Sequence, residues 1–461
     1  MIDINLVRNN PELVKWSQKK RGEDEGIVDK VLEYDRLWRE TIRKINDLRR
    51  ERNKKSAEAA RLKKEGRLED LEKIKREMQE LNARIKDLEA KEKEYKEARD
   101  SLLRAIPNIV HESVPDGLSE EENVPIRFWG HFKVWRGHLE AFKEQLQGHA
   151  VDYKVIEWRP KSHVDVLEDL DIGDTRRAAK VAGSRFYYLK NELALLDLAI
   201  AMFALEELVR KGYTPVIPPY MLRREAMEGV TDLSAFEEML YKIEDEDLYL
   251  IATAEHSIGA MFMNETLEEK DLPLKFVGFS PCFRKEAGAH GKDTKGIFRV
   301  HQFHKVEQFI FSHPDESWDL HEEITRNAEE LLQKLGIPYR VVNICAGELG
   351  AVASKKYDIE AWMPAQGKFR ELISASNCTD YQARRLGIRY RSREGEFKYV
   401  HTLNSTALAT TRTAVAIIEN YQREDGTVEI PKVLRKYLGG IKEIVPPKRK
   451  DLRSSFLSSE R

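Results

Sequence analysis

The sequence has few cysteines, and none stands in a pattern that would give it a structural task. Its 461 residues contain only Cys282, Cys345 and Cys378, which are widely spaced and form no CxxC pair and no Cys/His grouping. This usage argues against a disulfide scaffold and against structural zinc, and it is typical of a reducing cytoplasm. We therefore expect each cysteine to be a small buried residue.

Long apolar runs and the common phosphate-binding loops are also absent. The start, MIDINLVRNNPELVKW, lacks a basic segment followed by an apolar one, and the longest apolar helical run, 193–208, is interrupted by Asp197 and Glu206. We expect no membrane segment. No GxxxxGK[ST] occurs, and no GxGxxG follows a predicted strand. Any bound nucleotide must therefore be held by side chains on strands.

One region almost lacks helix breakers. From Val28 to Leu102 there is no proline and a single glycine, Gly66, which predicts a helix on each side of the glycine. Apolar residues keep a heptad rhythm in both halves: Val31, Trp38, Ile45 and Ala59 with Arg52 interrupting, then Leu71, Ile74, Met78, Leu81, Ile85, Leu88, Tyr95 and Leu102 with Glu92 and Arg99 as exceptions. The pattern predicts an antiparallel two-helix coiled-coil arm within a first domain, residues 1–110.

The first predicted helix of this arm carries a local excess of positive charge. The chain as a whole is nearly balanced, with a formal net charge of -2 although 34% of its residues are charged. A polyanion site must therefore come from local clustering. Residues 43–64 hold ten basic and three acidic side chains. Such an excess can bind a phosphate backbone, but a solvated coiled coil or a dimerising stalk has the same appearance, and the pattern leaves both interpretations open.

Three prolines and an acidic run between residues 106 and 125 predict a linker after the arm. We assign residues 111–177 to this linker and to an insertion of unassigned role. Residues 178–445 are predicted to form an α+β domain, because strand patterns alternate irregularly with helical ones: strands at 213–216, 248–253 and 339–344, and helices at 193–211 and 319–335. Residues 446–461 are predicted to form a mobile tail.

Residues 283–307, FRKEAGAHGKDTKGIFRVHQFHKVE, alternate charged and aromatic side chains. Read with period two from Phe298, one face collects Arg299, His301, Phe303, Lys305 and Glu307, while the earlier part places Arg284 with Glu286. A loop rich in glycine and lysine joins the two parts, which predicts a long antiparallel hairpin. Its groups suit phosphate oxygens, a base and an ammonium ion or metal. A solvated edge hairpin has the same alternation, so the hairpin alone leaves nucleotide binding open.

Two later segments supply further polar candidates. FRELISASNCTDYQARR (369–385) presents Glu371 beside small hydroxyl residues, and HTLNSTALATTRTAVAIIENYQ (401–422) carries Arg412 into an amphipathic helix. Each segment alone is typical of an ordinary strand end or helix N-cap. Together with the hairpin they make one set of site candidates.

Six segments follow the predicted arm in order: GYTPVIPPY (212–220), TAEHS (253–257), FRKEAG, VHQFHKVE, ELISASN and HTLNSTALATTR. The combination resembles the seryl-tRNA synthetases of the class II aminoacyl-tRNA synthetase family, nearly from end to end. The resemblance implies an α+β fold in which an N-terminal antiparallel two-helix coiled-coil arm precedes a class II core, built on a mostly antiparallel sheet flanked by helices. It also implies ATP-dependent activation of L-serine to seryl-adenylate and transfer of the seryl group to tRNA.

The resemblance assigns roles to single residues. It implies catalytic roles for Arg284, Glu286, Arg299 and Arg412, with Arg284 on the α-phosphate and Arg412 on the terminal phosphates. It implies ATP binding by Arg284, Lys285, Glu286, Val300, Phe303, Glu371, Leu372, Ile373, Ser374 and Arg412, with Phe303 stacked on adenine. Mg²⁺ is expected on the oxygen donors Glu371 and Ser374. Serine binding is expected from Thr253, Ala254, Glu255, Glu307, Asn404 and Thr406.

The resemblance also implies partners and a setting. The arm is expected to bind the long variable arm of tRNA(Ser) through four basic residues: Arg43, Arg49, Arg50 and Lys54. Selenocysteine tRNA, tRNA(Sec), is an expected second substrate. Pro219 falls at the proline of the family's first motif, which lies at a homodimer interface. We therefore expect a cytoplasmic homodimer without membrane association.

Two departures and two rival functions accompany the resemblance. The third motif of the family often carries a glycine-rich run, where this chain has Ser405, Thr406, Ala407, Thr410 and Thr411. The side chains at these positions affect how closely the helix can pack on the sheet. Residues 126–177 form a segment longer than the family needs.

A ligase that loads a carrier protein would lack the long arm. A non-catalytic coiled-coil RNA-binding protein would have lost Arg284, Glu371 or Arg412.

Overall fold

The computed structural model describes residues 1–286, 293 and 295–447, and the chain divides into two compact units, Met1–Ile109 and Val110–Arg461. Three residues of the predicted hairpin loop, Gly288, Gly291 and Lys292, lie outside the described residues. So does the predicted tail beyond residue 447. The boundary at 109/110 lies beside the end of the predicted first domain.

The first unit is helical and consists of α1 (Ile4–Asn9), α2 (Pro11–Lys20), α3 (Gly26–Lys64) and α4 (Leu68–Ala105). The helices α3 and α4 run antiparallel, since Trp38 contacts Glu92 near one end and Lys55 contacts Glu77 further along. Gly66, in the turn between them, has a φ of 74°, a conformation that favours glycine. The predicted two-helix arm is confirmed.

The two exceptions in the second heptad pattern form polar contacts across the arm. Trp38 Nε1 donates a hydrogen bond to Glu92 Oε1 at 2.7 Å, and the guanidinium of Arg99 lies 4.3 Å from the centroid of the same indole ring. Arg99 also lies 3.3 Å from Asp35, whose side chain is fully buried and accepts from Arg8 of α1. Burial alone would raise the pKa of Asp35, but Arg8 and neighbouring arginines hold it below its ordinary value. These polar pairs fix the register at the base of the arm.

The second unit combines helices and strands. Its helices are α5 (Leu139–Gln145), α6 (His163–Asp169), α7 (Thr175–Ala182), α8 (Asn191–Arg210), α9 (Arg224–Val230), α10 (Leu233–Phe236), α11 (Ala254–Gly259), α12 (Ser317–Leu335), α13 (Tyr381–Leu386) and α14 (Thr410–Tyr421). Its strands are β1 (Val124–Trp129), β2 (His131–Trp135), β3 (Asp152–Ile156), β4 (Gly173–Asp174), β5 (Tyr188–Leu189), β6 (Thr214–Val216), β7 (Met221–Arg223), β8 (Leu248–Leu250), β9 (Thr266–Glu268), β10 (Leu274–Phe283), β11 (Gln302–Ser312), β12 (Tyr339–Asn343), β13 (Lys355–Met363), β14 (Lys368–Asn377), β15 (Arg389–Arg391), β16 (Phe397–Tyr399), β17 (His401–Ala409), β18 (Val428–Glu429) and β19 (Glu443–Ile444).

The main sheet has the order β1-β12-β13-β14-β17-β11-β10-β6. Neighbouring strands are antiparallel except β6 and β10, which are parallel. Each face of the sheet packs on its own hydrophobic core. On β11, Val306 and Ile310 belong to the core formed with α8, α12 and α14, while Phe309 and Phe311 belong to the core formed with α9, α11 and α13. The alternation along the strand places helices on both faces and confirms the predicted antiparallel core.

The predicted hairpin is present, but its second strand is shorter than the sequence suggests. β10 and β11 pair antiparallel with Phe283 opposite Gln302, so the prediction of a strand starting at Phe298 is wrong. The backbone before Gln302 finds partners outside a strand ladder, because His301 N donates to Arg185 O at 3.1 Å and Arg185 donates to Arg299 O at 3.4 Å. Arg299 is therefore positioned by a loop contact and not by strand alternation.

Residues 111–177 are integrated into the second unit. β1 forms the edge of the main sheet beside β12, and β2 and β3 form a parallel pair. Val110 and Val114 pack with Val342 and Ile344, and Phe132 and Phe142 pack against Trp362 of β13. Residues 111–177 therefore supply an edge strand and a small hydrophobic core, so part of their role is structural.

The three cysteines are free and buried, as predicted. Among the described residues, no helix is long and apolar enough to span a bilayer.

Candidate active site

One pocket collects residues from the hairpin and from the start of α14. Its lining consists of Arg284, Glu286, Phe298, Arg299, Val300, Phe303, Thr411 and Arg412. The Arg284 guanidinium lies 5.3 Å from the centroid of the Phe303 ring, and Arg299 Nε donates to Glu286 Oε2 at 2.5 Å. Three guanidinium groups and two aromatic rings thus line one cleft, a combination suited to phosphate oxygens and a planar base.

Phe298 is a pocket residue that the sequence analysis placed only on a strand. Its ring contacts two guanidinium groups, with Arg370 at 4.0 Å and Arg412 at 5.1 Å from the ring centroid. Arg412 in turn donates from Nη1 to the backbone oxygen of Glu371 at 3.0 Å and lies 3.3 Å from Glu371 Oε2. Phe298 could have been predicted from the sequence as an aromatic residue next to Arg299. Thr411 also lines the pocket, but nothing in the sequence distinguishes it as a site residue.

Five of the ten expected nucleotide-binding residues do not line this pocket: Glu371 and Ser374 line the cavity beside it, and the other three lie elsewhere. The Lys285 ammonium lies 5.7 Å from the centroid of the Tyr241 ring. Leu372 and Ile373 are both buried in the core against α8, α12 and α14. Leu372 and Ile373 could therefore contact a nucleotide only through their backbones.

A second group of expected residues meets beneath the hairpin. Thr253 caps α11, its hydroxyl accepting from Glu255 N at 3.2 Å, and Ala254 is fully buried at the start of that helix. Glu255 Oε1 accepts a hydrogen bond from Asn404 Nδ2 at 3.1 Å. Thr406 Oγ1 lies 3.5 Å from Glu307 Oε2. The six residues expected to bind serine thus come from α11, β11 and β17 to one place.

Two residues that the sequence analysis did not assign to this group complete its hydrogen bonding. Gln382 Nε2 donates to Glu255 Oε1 at 3.2 Å, and Lys305 Nζ lies 2.5 Å from Glu307 Oε2. Lys305 stands two residues before Glu307 on the same strand face, which was a readable signal, whereas Gln382 lies on α13 and had none.

The carboxylates of this group have raised pKa values. Burial, followed by the charge of Glu307, raises the pKa of Glu255 to about 7. Burial also raises the pKa of Glu307, against the opposing effect of Lys305. His256 beside them stays neutral, because burial lowers its pKa to about 3. Two buried carboxylates with a single lysine, paired to Glu307, favour the entry of another cation.

A β-bulge brings Glu371 and Ser374 to the same face of the sheet. Residues three apart on a regular strand face opposite sides. Here Glu371 pairs with Glu360 and Ser374 pairs with Asp358, so β14 has three residues after Glu371 where β13 has two, and Leu372 is the extra one. The extra residue shifts the alternation of side chains between the two faces by one. Glu371 and Ser374 therefore project together, beside Asp358.

The oxygen donors on this face fit a hard divalent cation. Asp358 Oδ1 is buried without a hydrogen-bond partner. Although burial acts to raise the pKa of Glu371, Arg412, Lys356 and Arg284 lower it, so this carboxylate is ionised at neutral pH. Within the described residues, no group of three or more His, Cys, Asp and Glu side chains could hold a metal ion. The donors suit an ion that takes its other ligands from phosphate and water.

The small polar residues that stand in place of a glycine run are buried and hydrogen-bonded. Ser405 Oγ donates to Thr406 O at 2.9 Å, and Thr410 Oγ1 donates to His304 O at 3.1 Å. Ser405 and Ala407 are fully buried. The junction of β17 and α14 thus accommodates side chains where glycines often stand.

Comparison with known proteins identifies the family. The model for the seryl-tRNA synthetase N-terminal domain matches residues 1–110, and the model for the tRNA synthetase class II core domain (G, H, P, S and T) matches residues 240–421. A serine--tRNA ligase of Pyrococcus horikoshii is 61% identical over 454 residues, 98% of this chain and 99% of that protein. The chain belongs to the seryl-tRNA synthetase family. It is a class II serine--tRNA ligase, an enzyme that charges tRNA with serine.

Solved structures agree with this assignment over nearly the full chain. The crystal structure of the P. horikoshii seryl-tRNA synthetase complexed with ATP has a TM-score of 0.93 and covers 97% of this chain and 100% of that one. A cytoplasmic serine-tRNA ligase from Naegleria fowleri, in complex with AMP, is 40% identical with a TM-score of 0.83, covering 97% and 99%. The resemblance inferred from the six segments is confirmed.

The arm of this synthetase exposes the basic residues predicted to bind tRNA. Arg43, Arg50 and Lys54 are exposed on α3 at spacings of seven and four, so they line one side of the helix; we call these three residues the basic stripe. Arg49 is also exposed but faces α4, where its Nη2 lies 2.7 Å from Glu89 Oε1. Arg50 also lies near an acid, with its Nη1 3.4 Å from Asp47 Oδ1, but both side chains of that pair are largely exposed, so the stripe stays open to solvent.

Proposed function

We propose that this synthetase activates L-serine with ATP and transfers the seryl group to tRNA(Ser), and also to tRNA(Sec). In the first step a serine carboxylate oxygen bonds to the α-phosphorus of ATP, the bond to the bridging oxygen breaks, and pyrophosphate leaves seryl-adenylate behind. In the second step the terminal ribose hydroxyl of tRNA bonds to the acyl carbon, and AMP and a proton are released. The observation that supports this proposal most strongly is the cleft of three arginines and two aromatic rings beside the Glu255–Glu307 pair.

The pocket geometry supports a division of roles for the nucleotide. Arg284 reaches the α-phosphate while Phe303, beneath its guanidinium, stacks on adenine. Arg412 neutralises the terminal phosphates from the start of α14. Glu286, held by Arg299, borders the base with Val300. Because these groups are preorganised by contacts among themselves, they stabilise the charge that develops on the phosphates without moving.

Mg²⁺ is proposed on Glu371 and Ser374, which the bulge at Leu372 directs to one face. Such an ion would supply charge neutralisation to the phosphates. The chain's own contribution is orientation, since Arg412 holds Glu371 through its backbone oxygen and its carboxylate.

The serine subsite combines a cation site with a hydroxyl site. Glu255 and Glu307 receive the ammonium group, and Thr406 and Asn404 receive the hydroxyl. A buried site built to hydrogen-bond a hydroxyl rejects alanine by about four orders of magnitude, because its own polar groups would stay unpaired. Threonine must be excluded by volume, and the full burial of Ala254 supports a tightly packed wall.

The arm is proposed to hold the long variable arm of the tRNA by its backbone. The basic stripe offers three exposed cations in a row, and a phosphate backbone presents anions at regular intervals. Recognition of this kind depends on shape and charge more than on base edges, which would also admit tRNA(Sec).

A cytoplasmic homodimer is proposed as the working form. Large apolar side chains are exposed on α8 and near Pro219: Leu198 is 54% exposed, Met202 53% and Ile217 74%. Leu198 and Met202 lie four residues apart on α8, and neighbouring exposed apolar side chains support an interaction surface there. The free cysteines suit a reducing compartment.

The test is ATP–pyrophosphate exchange without tRNA, with serine, threonine, alanine and cysteine compared side by side. The proposal expects exchange with serine and almost none with alanine. Exchange with none of the four amino acids would reject the proposed adenylate step.

A further inference from the structure

One histidine of the insertion contacts the loop that carries two residues of the nucleotide pocket. His163 begins α6, a helix within the segment 126–177 to which the family resemblance gives no task. The side chain is buried, and its Nε2 accepts a hydrogen bond from the backbone N–H of Ile297 at 3.4 Å. Ile297 directly precedes Phe298 and Arg299, which line the pocket. An unprotonated Nε2 requires the proton on Nδ1, and Nδ1 faces Glu419 Oε1 at 3.8 Å.

Glu419 connects this contact to a second one on the same loop. It lies on α14, the helix that begins beside Arg412, and its carboxylate accepts from Ala365 N at 3.0 Å and from Gln366 Nε2 at 2.8 Å. Gln366 Oε1 accepts from Arg370 at 2.7 Å, and Arg370 forms a two-point ion pair with Asp293. The loop is thus held at Asp293 and at Ile297, and both contacts lead to the fully buried carboxylate of Glu419.

The loop approaches His163 so closely that only glycine fits next to Ile297. Gly296 has a φ of 80°, and a Cβ at this position would come within 2.0 Å of His163 Nε2. Ile297 itself is fully buried and packs in one core with Val166 and Leu167 of α6. The hydrogen bond from Ile297 N, the burial of the Ile297 side chain and the close approach at Gly296 therefore all hold this part of the loop against α6.

We propose that His163 is a positioning residue for nucleotide binding: it holds the backbone at Ile297 so that Phe298 faces Arg412, and Arg299 faces Glu286, in the pocket. The inference rests on the proposed function only in taking ATP as the ligand of that pocket. It gives the insertion a task in addition to its structural one. The ring of His163 does not line the pocket, so its effect must pass through the loop.

The test compares His163→Met with His163→Gln in the full-length enzyme. Methionine fills similar volume but offers the Ile297 N–H only a weak thioether acceptor, whereas the glutamine amide oxygen can reach the position of Nε2. We expect H163M to weaken ATP binding about tenfold, the effect of leaving one buried donor unpaired, and H163Q to recover most of this loss. The KM for serine should stay within about twofold in both variants. His131→Met, an exposed histidine of the same segment, is the matched control.

ATP binding is measured by calorimetry without serine, and KM values by pyrophosphate exchange. If H163M binds ATP like the wild type, or if H163Q is as weak as H163M, the positioning role is wrong. Gly296→Ala tests the same contact from the loop, because its Cβ would push against His163 while the buried side chains themselves are left unsubstituted. Undiminished ATP binding by G296A would also overturn the proposal. A wild type that binds ATP but exchanges no pyrophosphate rejects the adenylate step alone, because the ATP titrations still report on His163.

Discussion

The serine subsite gives substrate binding a specific pH dependence. The pKa of Glu255 is raised to about 7, and only its ionised form can pair with the ammonium group of serine. A group with that pKa is ionised to about 9% at pH 6, about 50% at pH 7 and about 91% at pH 8. The apparent Kd for serine should therefore fall about fivefold from pH 6 to pH 7 and about twofold more by pH 8.

The same linkage predicts proton release when serine binds. Ammonium pairing keeps Glu255 ionised, so binding should release about 0.9 proton per site at pH 6 and about 0.1 at pH 8. Calorimetric titration of serine in two buffers with different ionisation enthalpies measures both numbers and the Kd. The Glu255→Gln variant is the control, because it keeps a hydrogen-bonding side chain but cannot ionise, and any titration of serine's own amino group remains visible in it.

Two results would refute this reasoning. A Kd for serine that is constant from pH 6 to pH 7.5 would mean that Glu255 is already ionised in the free enzyme. Proton release that persists in E255Q would assign the titration to another group, of which Glu307 is the nearest, since burial raises its pKa as well.

The other predictions concern charge, stability and metal. Arg284→Ala should abolish pyrophosphate exchange, while Arg284→Lys should keep a small part of it; exchange at wild-type level in R284A would reject the α-phosphate role. Reversing the basic stripe to glutamate should spare exchange and weaken tRNA charging more at low salt than at high salt, whereas reversing Lys91, Lys93 and Lys96 on α4 should cost less; equal losses would indicate net charge alone. Ser374→Ala should raise the Mg²⁺ concentration for half-maximal exchange, and an unchanged requirement would remove Ser374 from the metal site. Because the folded pKa of Glu255, about 7, exceeds its ordinary 4.5, its contribution to stability is complete below pH 4.5 and lost as the pH rises through 7. E255Q should therefore raise the melting temperature at pH 8 and not at pH 5. The rise at pH 8 should correspond to a gain of up to ~3 kcal/mol in the free energy of unfolding; an equal shift at both pH values would contradict the assignment.

Local patterns predicted the arm and the paired strands because each depends on short-range periodicity. The heptad rhythm was legible in α4 even where Glu92 and Arg99 interrupt it, since those two residues pair with Trp38 and Asp35 across the arm. Contacts between distant segments were not legible. Arg185 ends the strand pattern before Gln302, and nothing near residue 185 signals that it bonds to His301.

The β-bulges explain why strand parity misleads within this active site. In β14 the consecutive residues Leu372 and Ile373 are both buried in one core, which a regular strand does not permit and an extra residue does. β17 has a corresponding irregularity, with Glu307 opposite Thr406 and Val306 opposite Leu408, so that one residue of β17 is extra beside the serine subsite. Period two applied across either bulge would separate residues that the fold brings together. Glu371 and Ser374 were assigned to one metal by family resemblance; their joint orientation has a physical cause in the bulge, which the sequence shows only as two adjacent apolar residues.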